Sequence, residues 1–351
     1  MILYVEMKKK ILTLIVIGVI SGFSVIYLFY ISDRINRTPN HFIRLFVPHI
    51  QRYLKSYAVN NKSWHIAGVV DDKIMFGNRK YLNVLLNIDL RRNDTSIRIL
   101  KLPQLSLKSP KIIIKDQNFY ILDGEQPAIY KSPISIPNSV HLISEKVYFD
   151  TAIPINDETF IIRYVNKKNE LSLGKIVNKK LIKSQVVFRL KIDGLMSKDG
   201  MLLYDEVTKK IVYVSYYTNR YSVSDSNLNL KLEAKTRDTV NYPKIKVGKP
   251  DKHGKITMVA PPKVTNKTCA IYNNYLFIQS ALLADNEKKE FFNESSVIDV
   301  YDIRKGLYKL SFYIPDYDNK KIKEFKVFGD KLIAMFEDQC VIYKLNQKYF
   351  K

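Results

Sequence analysis

Residues 199–236 read DGMLLYDEVTKKIVYVSYYTNRYSVSDSNLNLKLEAKT, four short apolar runs cut by three polar turns. The runs, at 201–207, 211–218, 221–225 and 230–236, are strand-length and leave no room for a helix between them. Four consecutive antiparallel strands of this size make one small twisted sheet. Such a sheet cannot bury both of its faces alone, so the rest of the chain must cover them.

The cover comes from repetition. An alternating strand, a polar turn and a second strand recur as LLNIDLRRNDTSIRIL (85–100), FIIRYVNKKNELSLGKI (160–176), YSVSDSNLNLKLEA (221–234) and VIDVYDIRKGLYKLSF (297–312). A looser copy, AIYKSPISI, lies at 128–136, and a truncated one, CVIYKLNQK, at 340–348. Six such units standing around an axis would shield one another's apolar faces and leave only short edges. The expected units are 64–103, 110–137, 140–178, 199–237, 264–314 and 322–346, followed by a tail at 347–351. The last has only three strands, at 322–329, 331–337 and 340–345, so another segment must complete it. HFIRLFVPH (41–49) alternates and is expected to supply that strand, while IQRYLKSYA (50–58) reads as a short helix. Aromatic and branched residues favour strands throughout. With only 12 Gly in 351 residues, Asn, Asp and Lys are expected to make many of the turns.

Two stretches carry a family resemblance. FYILDGEQPAIYK (119–131) is similar to the strand, Asp, turn and strand of an NHL-type repeat, and IVYVSYYTNRYSVSD (211–225) resembles the YVTN type of propeller repeat. Over about 41–346 the chain resembles six-bladed β-propellers of the TolB-like and NHL-like kind. The expected fold is all-β: a six-bladed propeller preceded by one transmembrane helix. The resemblance implies no particular activity, because propellers host enzymes, receptors and scaffolds alike.

Near the N-terminus, 21 residues (11–31) carry no charge. As a helix they reach ~31 Å, enough to cross a hydrocarbon core of ~30 Å. The run is longer than a signal-peptide core and no A-x-A cleavage site follows, which favours an uncleaved anchor. Lys8, Lys9 and Lys10 place residues 1–10 in the cytoplasm and everything beyond the anchor outside it, in the periplasm of a Gram-negative cell. Residues 32–63 then serve as linker. Gly18 and Gly22 form a GxxxG, a candidate contact for a homodimer of such helices.

The formal charge of +23 raises nucleic acid as a partner. The lysines are spread evenly rather than gathered in a stripe, which reads first as a solvated basic surface and second as attraction to a nearby anionic membrane face, and nucleic acid is set aside because the domain is expected outside the cytoplasm. The insertion RDTVNYPKIKVGKPDKHGKITMVAPPKVTNK (237–267) is basic and reads either as a plain surface excursion or as a contact loop. Cys269 and Cys340 lie in apolar runs and read as two buried free thiols rather than a bridge. The five histidines, at 41, 49, 65, 141 and 253, lack metal-ligand spacing. Asp225, Asn227 and Asn229 start like a calcium loop, but Leu230 and Thr236 stand where Gly and Glu are needed.

No phosphate loop, nucleophile elbow or dinucleotide fingerprint occurs, and no cofactor is nominated. The leading reading is a membrane-tethered, extracytoplasmic, non-catalytic module that binds an envelope protein or a small ligand. Tyr216, Tyr217 and Arg220 are its candidate contact residues. The alternative is a propeller enzyme of the metal-assisted hydrolase or lactonase type, with Asp150, Asp193, Asp205 and Glu206 gathered at one channel mouth. Converging carboxylate, amide or imidazole groups would favour the enzyme. A channel of Lys, Tyr and aliphatic residues would count against it.

Overall fold

A computed structural model describes residues 2–36, 40–184, 198–243, 245, 248, 259–260 and 262–350. Its first element is helix α1 (Ile2–Asn36), whose stretch Lys10–Phe29 has a mean hydropathy of 2.5 and packs against nothing. This helix has the length and composition of a single-pass anchor and equally of a signal sequence.

Six four-stranded antiparallel sheets follow. Blade one is β2 (Trp64–Val70), β3 (Lys73–Asn78), β4 (Val84–Asp89) and β5 (Asp94–Ile99). Blade two is β6 (Lys111–Lys115), β7 (Asn118–Asp123), β8 (Ala128–Pro133) and β9 (His141–Glu145). Blade three is β10 (Thr151–Pro154), β11 (Thr159–Val165), β12 (Leu171–Val177) and β13 (Lys180–Lys183). Blade four is β14 (Gly200–Asp205), β15 (Lys210–Ser215), β16 (Arg220–Ser224) and β17 (Leu230–Lys235), matching the four runs of 199–236. Blade five is β18 (Asn266–Tyr272), β19 (Tyr275–Ser280), β20 (Ser295–Asp302) and β21 (Leu307–Pro315), with a one-turn helix α2 (Lys289–Asn293) between β19 and β20. Blade six is β22 (Glu324–Phe328), β23 (Lys331–Met335) and β24 (Gln339–Leu345), completed on its outside by β1 (Gln51–Ala58).

Each joint between neighbouring blades holds its own apolar core. Phe76 and Ile88 of blade one meet Ile333 and Ile342 of blade six, which closes the ring. The other five joints are built the same way, for example Phe119 and Ile121 against Met75 and Leu85, or Tyr221 and Val223 against Leu276 and Ile278. The first strand of each blade is innermost, and these strands run in one direction: His65 meets Ile112, and Gly68 meets Ile114 two residues further on. At Gly68 a Cβ would collide with the Ile114 carbonyl oxygen, so only glycine lets these two strands approach so closely. The channel they surround has an entry rim, where innermost strands begin, and an exit rim, where they end.

Turn chemistry follows the composition. The two-residue hairpins at Asp71–Asp72, Asn178–Lys179 and Asn273–Asn274 have positive φ at both positions, the geometry that matches strand twist, without any glycine.

Several expectations are corrected. The segment 50–58 is not a helix, and the strand that closes blade six is not 41–49. β1 pairs with β24 from Gln51 opposite Leu345 to Ala58 opposite Gln339, with a bulge between Tyr53 and Lys55. An outermost strand sends most side chains to solvent, and the bulge shifts Leu54 out of step, so the apolar spacing imitates a helix while main-chain pairing decides the structure. Residues 41–49 do alternate, with Phe42 and Arg44 buried, but they dock on blade five, where Phe46 forms an isolated bridge with Ser311. β9 belongs to blade two rather than to the 140–178 unit, because it pairs with β8. The unit at 160–176 joins second and third strands, whereas those at 85–100, 221–234 and 297–312 join third and fourth. Residues 244, 246–247, 249–258 and 261 of the insertion at 237–267 lie outside the described residues, as does Asp193, and its final Asn266 and Lys267 already belong to β18.

Two polar features of the joints have measurable consequences. Cys269 sits between blades four and five and Cys340 between blades six and one, both as free thiols whose pKa burial pushes up. Both are expected to resist a charged maleimide in the native protein and to react together on denaturation; labelling of either at the native rate of an exposed thiol, read by mass spectrometry, would contradict this placement.

His65, 1% exposed between blades one and two, donates from Nε2 to the Ile112 carbonyl at 2.8 Å and leaves Nδ1 without a partner. Burial, with help from Lys111, pushes its pKa from 6.5 down to about 3. On acidification the unfolded chain takes up a proton near its ordinary pKa that the folded ring still refuses. Stability therefore falls as pH drops through that window, by about 1.4 kcal/mol per unit at the steepest. Urea midpoints between pH 7 and 5 should show this slope, and His65→Gln should flatten it; an unchanged slope in the variant would assign it elsewhere.

Candidate functional site

The channel is the place where the ring brings distant segments together. On β22, Phe325 and Val327 point into the core between blades five and six, so Glu324, Lys326 and Phe328 take the opposite side of the innermost strand. Lys326 is exposed, yet it interacts with Lys111 and Lys115 of blade two and Glu206 of blade four. Lys111 opens β6 and is also exposed, and Lys267, the second residue of β18, stands at the entry rim.

These lysines are held against their preference. Burial lowers the pKa of Lys326, and Lys111 lowers it further. Lys111 is lowered by burial and by Arg79, and Lys267 by burial and by Lys321. Water reaches the ammonium groups, but protein surrounds them at longer range and thins their hydration. The nearby carboxylates are engaged elsewhere: Glu324 accepts from the Ile66 amide, and Glu206 pairs with Lys115 at 2.9 Å. Lys323 closes the seam between blades six and one by donating to the carbonyls of Lys62 at 2.6 Å and Trp64 at 3.0 Å.

Beside the entry rim, Arg163 of β11 staples blade three to blade four. Its Nε donates to Asp150 at 2.8 Å, and its Nη1 reaches Asp199 at 2.7 Å, the Tyr213 hydroxyl at 3.1 Å and the Gly200 carbonyl. Burial opposes the Arg163 charge, but Asp150 more than compensates and its pKa is raised. Tyr213 donates onward to the Lys198 carbonyl at 2.6 Å.

The carboxylates expected at one mouth are divided between two. Asp150 serves Arg163 at the entry rim. Asp205 sits at the exit rim, where it accepts from the amides of Asn273 at 3.2 Å and Asn274 at 2.8 Å and from the Thr208 hydroxyl at 2.6 Å. Glu206 follows it. Among the described residues, no three His, Cys, Asp or Glu side chains converge as a metal site.

Tyr216 and Tyr217 occupy the connection from β15 to β16 on the entry rim, their ring centroids 6.0 Å apart. Tyr216 is half-buried, its phenol pushed up to about 12 by burial and then by Asp199. Tyr217 is 8% exposed and its pKa is likewise raised by burial. Arg220 is exposed on β16 opposite Lys235, and no described hydrogen bond or ion pair joins it to the tyrosines. Sequence reading missed Lys111 and Lys326. The only available signal was a Lys within each innermost apolar run, which resembles an ordinary exposed strand position.

No family model matches the sequence, and no curated protein matches it either. Solved structures do share its shape. A member of the DUF4221 family from Bacteroides vulgatus aligns with a TM-score of 0.52 at 10% identity, over 84% of this chain and 97% of the other. BamB from Moraxella catarrhalis gives 0.43 at 9% identity, over 84% and 100%. Streptogramin B lyase gives 0.46 at 10% identity, over 83% and 98%. At such identities the likeness concerns the fold alone, and the fold is that of a six-bladed β-propeller with one apolar helix ahead of it.

Proposed function

We propose that this protein is a membrane-tethered, extracytoplasmic propeller that recognises a ligand or protein partner without transforming it. In this reading α1 is the anchor, with its N-terminus in the cytoplasm. The entry rim with Tyr216, Tyr217 and Arg220 is the contact surface, and a second copy can pair through Gly18 and Gly22. The TolB-like and NHL-like kinship suggested by 119–131 and 211–225 belongs to the same reading.

The carrying observation is that the segment after the helix is strapped to the propeller. Only four residue steps separate Asn36 from Asn40, at most about 14 Å. Asn40 is already fixed: its amide donates to Asp285 at 2.8 Å, and its carbonyl accepts from Thr239 at 2.8 Å. Next, Arg44 inserts into blade five with its side chain fully buried. It grips Asp299 through Nε at 2.7 Å and Nη2 at 3.1 Å, donates to the Leu282 carbonyl at 3.0 Å and pairs with Glu287. Ser311 also donates to Asp299, and the Phe46 ring stacks on Tyr313 at 4.5 Å. Every buried charge in this knot has a counter-charge, the condition under which burial is tolerated. With Asn40 held this firmly and so few residues from the helix, the propeller stays close to a bilayer that the helix enters. Catalysis needs no such closeness; recognition beside a membrane gains from it.

The channel supports the same side. Lys111 and Lys326 stand exposed on its innermost strands, and among the described residues no three His, Cys, Asp or Glu side chains converge, which favours recognition over the metal-assisted hydrolase or lactonase alternative.

Arg44→Ala leaves Asp299 and Glu287 buried without a counter-charge and should cost about 3–5 kcal/mol in urea unfolding. Segment 40–50 should become the first site of proteolysis, and an unchanged digestion pattern would show that the strap is not needed. For the function itself, full-length protein should stay in the membrane fraction through carbonate extraction and release it only when residues 1–36 are removed. A photoreactive group at position 216 should give a discrete adduct in cells, while one at Lys305 on the exit rim should not. Adducts of equal yield from both rims, or a full-length protein found in the soluble fraction, would sink the proposal.

A further inference from the structure

The strap at 40–50 holds two apolar side chains out to water, and its backbone gives them no way in. Phe42 and Arg44 take the inward positions, so the alternate residues Ile43 and Leu45 point outward, 54% and 58% exposed. The main chain at both is pinned. The Ile43 carbonyl accepts from Nε of Arg237 at 3.0 Å, the Leu45 amide donates to the Tyr308 hydroxyl at 2.9 Å, and the Leu45 carbonyl accepts from the Ser311 amide at 2.8 Å. Single exposed apolar residues are ordinary on a protein surface. These two differ in their surroundings. The exposed Arg237 guanidinium lies 5.5 Å from the Tyr308 ring and so stands fixed beside them. Val240 packs against Phe42, and two residues on the Tyr242 ring is exposed. The carboxylates of the flanking loops are engaged: Asp238 by the Thr236 hydroxyl and Asp285 by the Asn40 amide. The set also lies near the end of the helix. Past Phe29 the seven further helical residues to Asn36 rise ~10 Å, and the seven residue steps from Asn36 to Ile43 span at most about 25 Å.

We propose that the outward face of the strap, Ile43 and Leu45 together with Tyr242 and Arg237, rests on the anionic phospholipid surface of the membrane that α1 enters. The two branched side chains sink into the boundary between headgroups and acyl chains, and a tyrosine ring suits that boundary, where one end is apolar and the other wet. Arg237 has only Nε engaged by Ile43, so its terminal N–H groups take a lipid phosphate through charge-assisted hydrogen bonds. A face this small would bind lipid weakly from solution. Tethered through so few residues, it meets the bilayer at a high effective concentration, and a weak contact is then populated. The inference rests on the tether reading and adds to it the face that meets the lipid.

The test uses full-length protein reconstituted into vesicles of phosphatidylglycerol and phosphatidylcholine. A bimane label is placed on Ile43→Cys, on Leu45→Cys or, as control, on Ile97→Cys of blade one, which is 67% exposed; the native cysteines are buried. Lipid carrying a nitroxide at its headgroup should quench the labels at 43 and 45 and leave the label at 97 unchanged. Arg237→Ala should lower the ratio of docked to undocked label, read from fluorescence lifetimes, by about fivefold, the worth of one cation at an anionic surface. Vesicles of phosphatidylcholine alone should erase that difference. Protein that does not float with the vesicles overturns the tether and this contact together. Protein that floats while positions 43, 45 and 97 are quenched alike overturns the contact and leaves the tether standing. Shielding of position 43 in native membranes but not in lipid vesicles gives the face to a protein partner, and that too overturns the proposal.

Discussion

The structure depends on one constraint: no blade can hide its own apolar faces. A four-stranded sheet exposes an apolar surface on either side, and here each side finds the neighbouring blade. The six cores lie between blades rather than within them, so each contributes fully only when the ring is closed. The joint of Phe76 and Ile88 with Ile333 and Ile342 is therefore what makes the other five mutually consistent. Placing β1 outside β24 reinforces it by removing the bare edge of blade six with a strand from the opposite end of the chain.

Closure also settles where charge can go. Charged side chains between blades must be paired, and Arg44 and Arg163 are paired with two carboxylates each. The innermost strands face water along a narrow channel and escape that rule. Lys326 and Lys111 are exposed on those strands, and the surrounding protein lowers the pKa of both. The strap at 40–50 and these lysines thus follow from the same geometry: one is a charge forced into a core and satisfied, the other a pair of charges left facing water.

Blade four was legible to within a few residues, since its runs at 201–207, 211–218, 221–225 and 230–236 are short, apolar and separated by polar turns. The closing strand was not. Tyr53, Leu54 and Tyr57 repeat at a helical interval, and an outer strand with a bulge carries too little buried surface to correct that impression. Conversely, 41–49 showed true alternation, with Phe42 and Arg44 inward, but alternation does not say which blade will receive it. β9 was absorbed into the wrong unit because its mostly exposed residues give a weak apolar signal. Of the site, the apolar run 211–218 takes in the two tyrosines, which the structure instead places in the connection after β15, and the lysines of the innermost strands could not be told from those of any exposed strand.

By itself, the sequence determined most of the element types, the sixfold repetition, the need for a borrowed strand and the apolar helix. Each of these follows from local hydrophobic spacing or from run length. Only the tertiary structure decided which segment was borrowed, that Arg44 would be buried in blade five and that lysines from blades two and six would stand exposed on innermost strands. Those outcomes depend on main-chain pairing and on proximity across a closed ring, between residues more than two hundred positions apart, and no local pattern records such a distance.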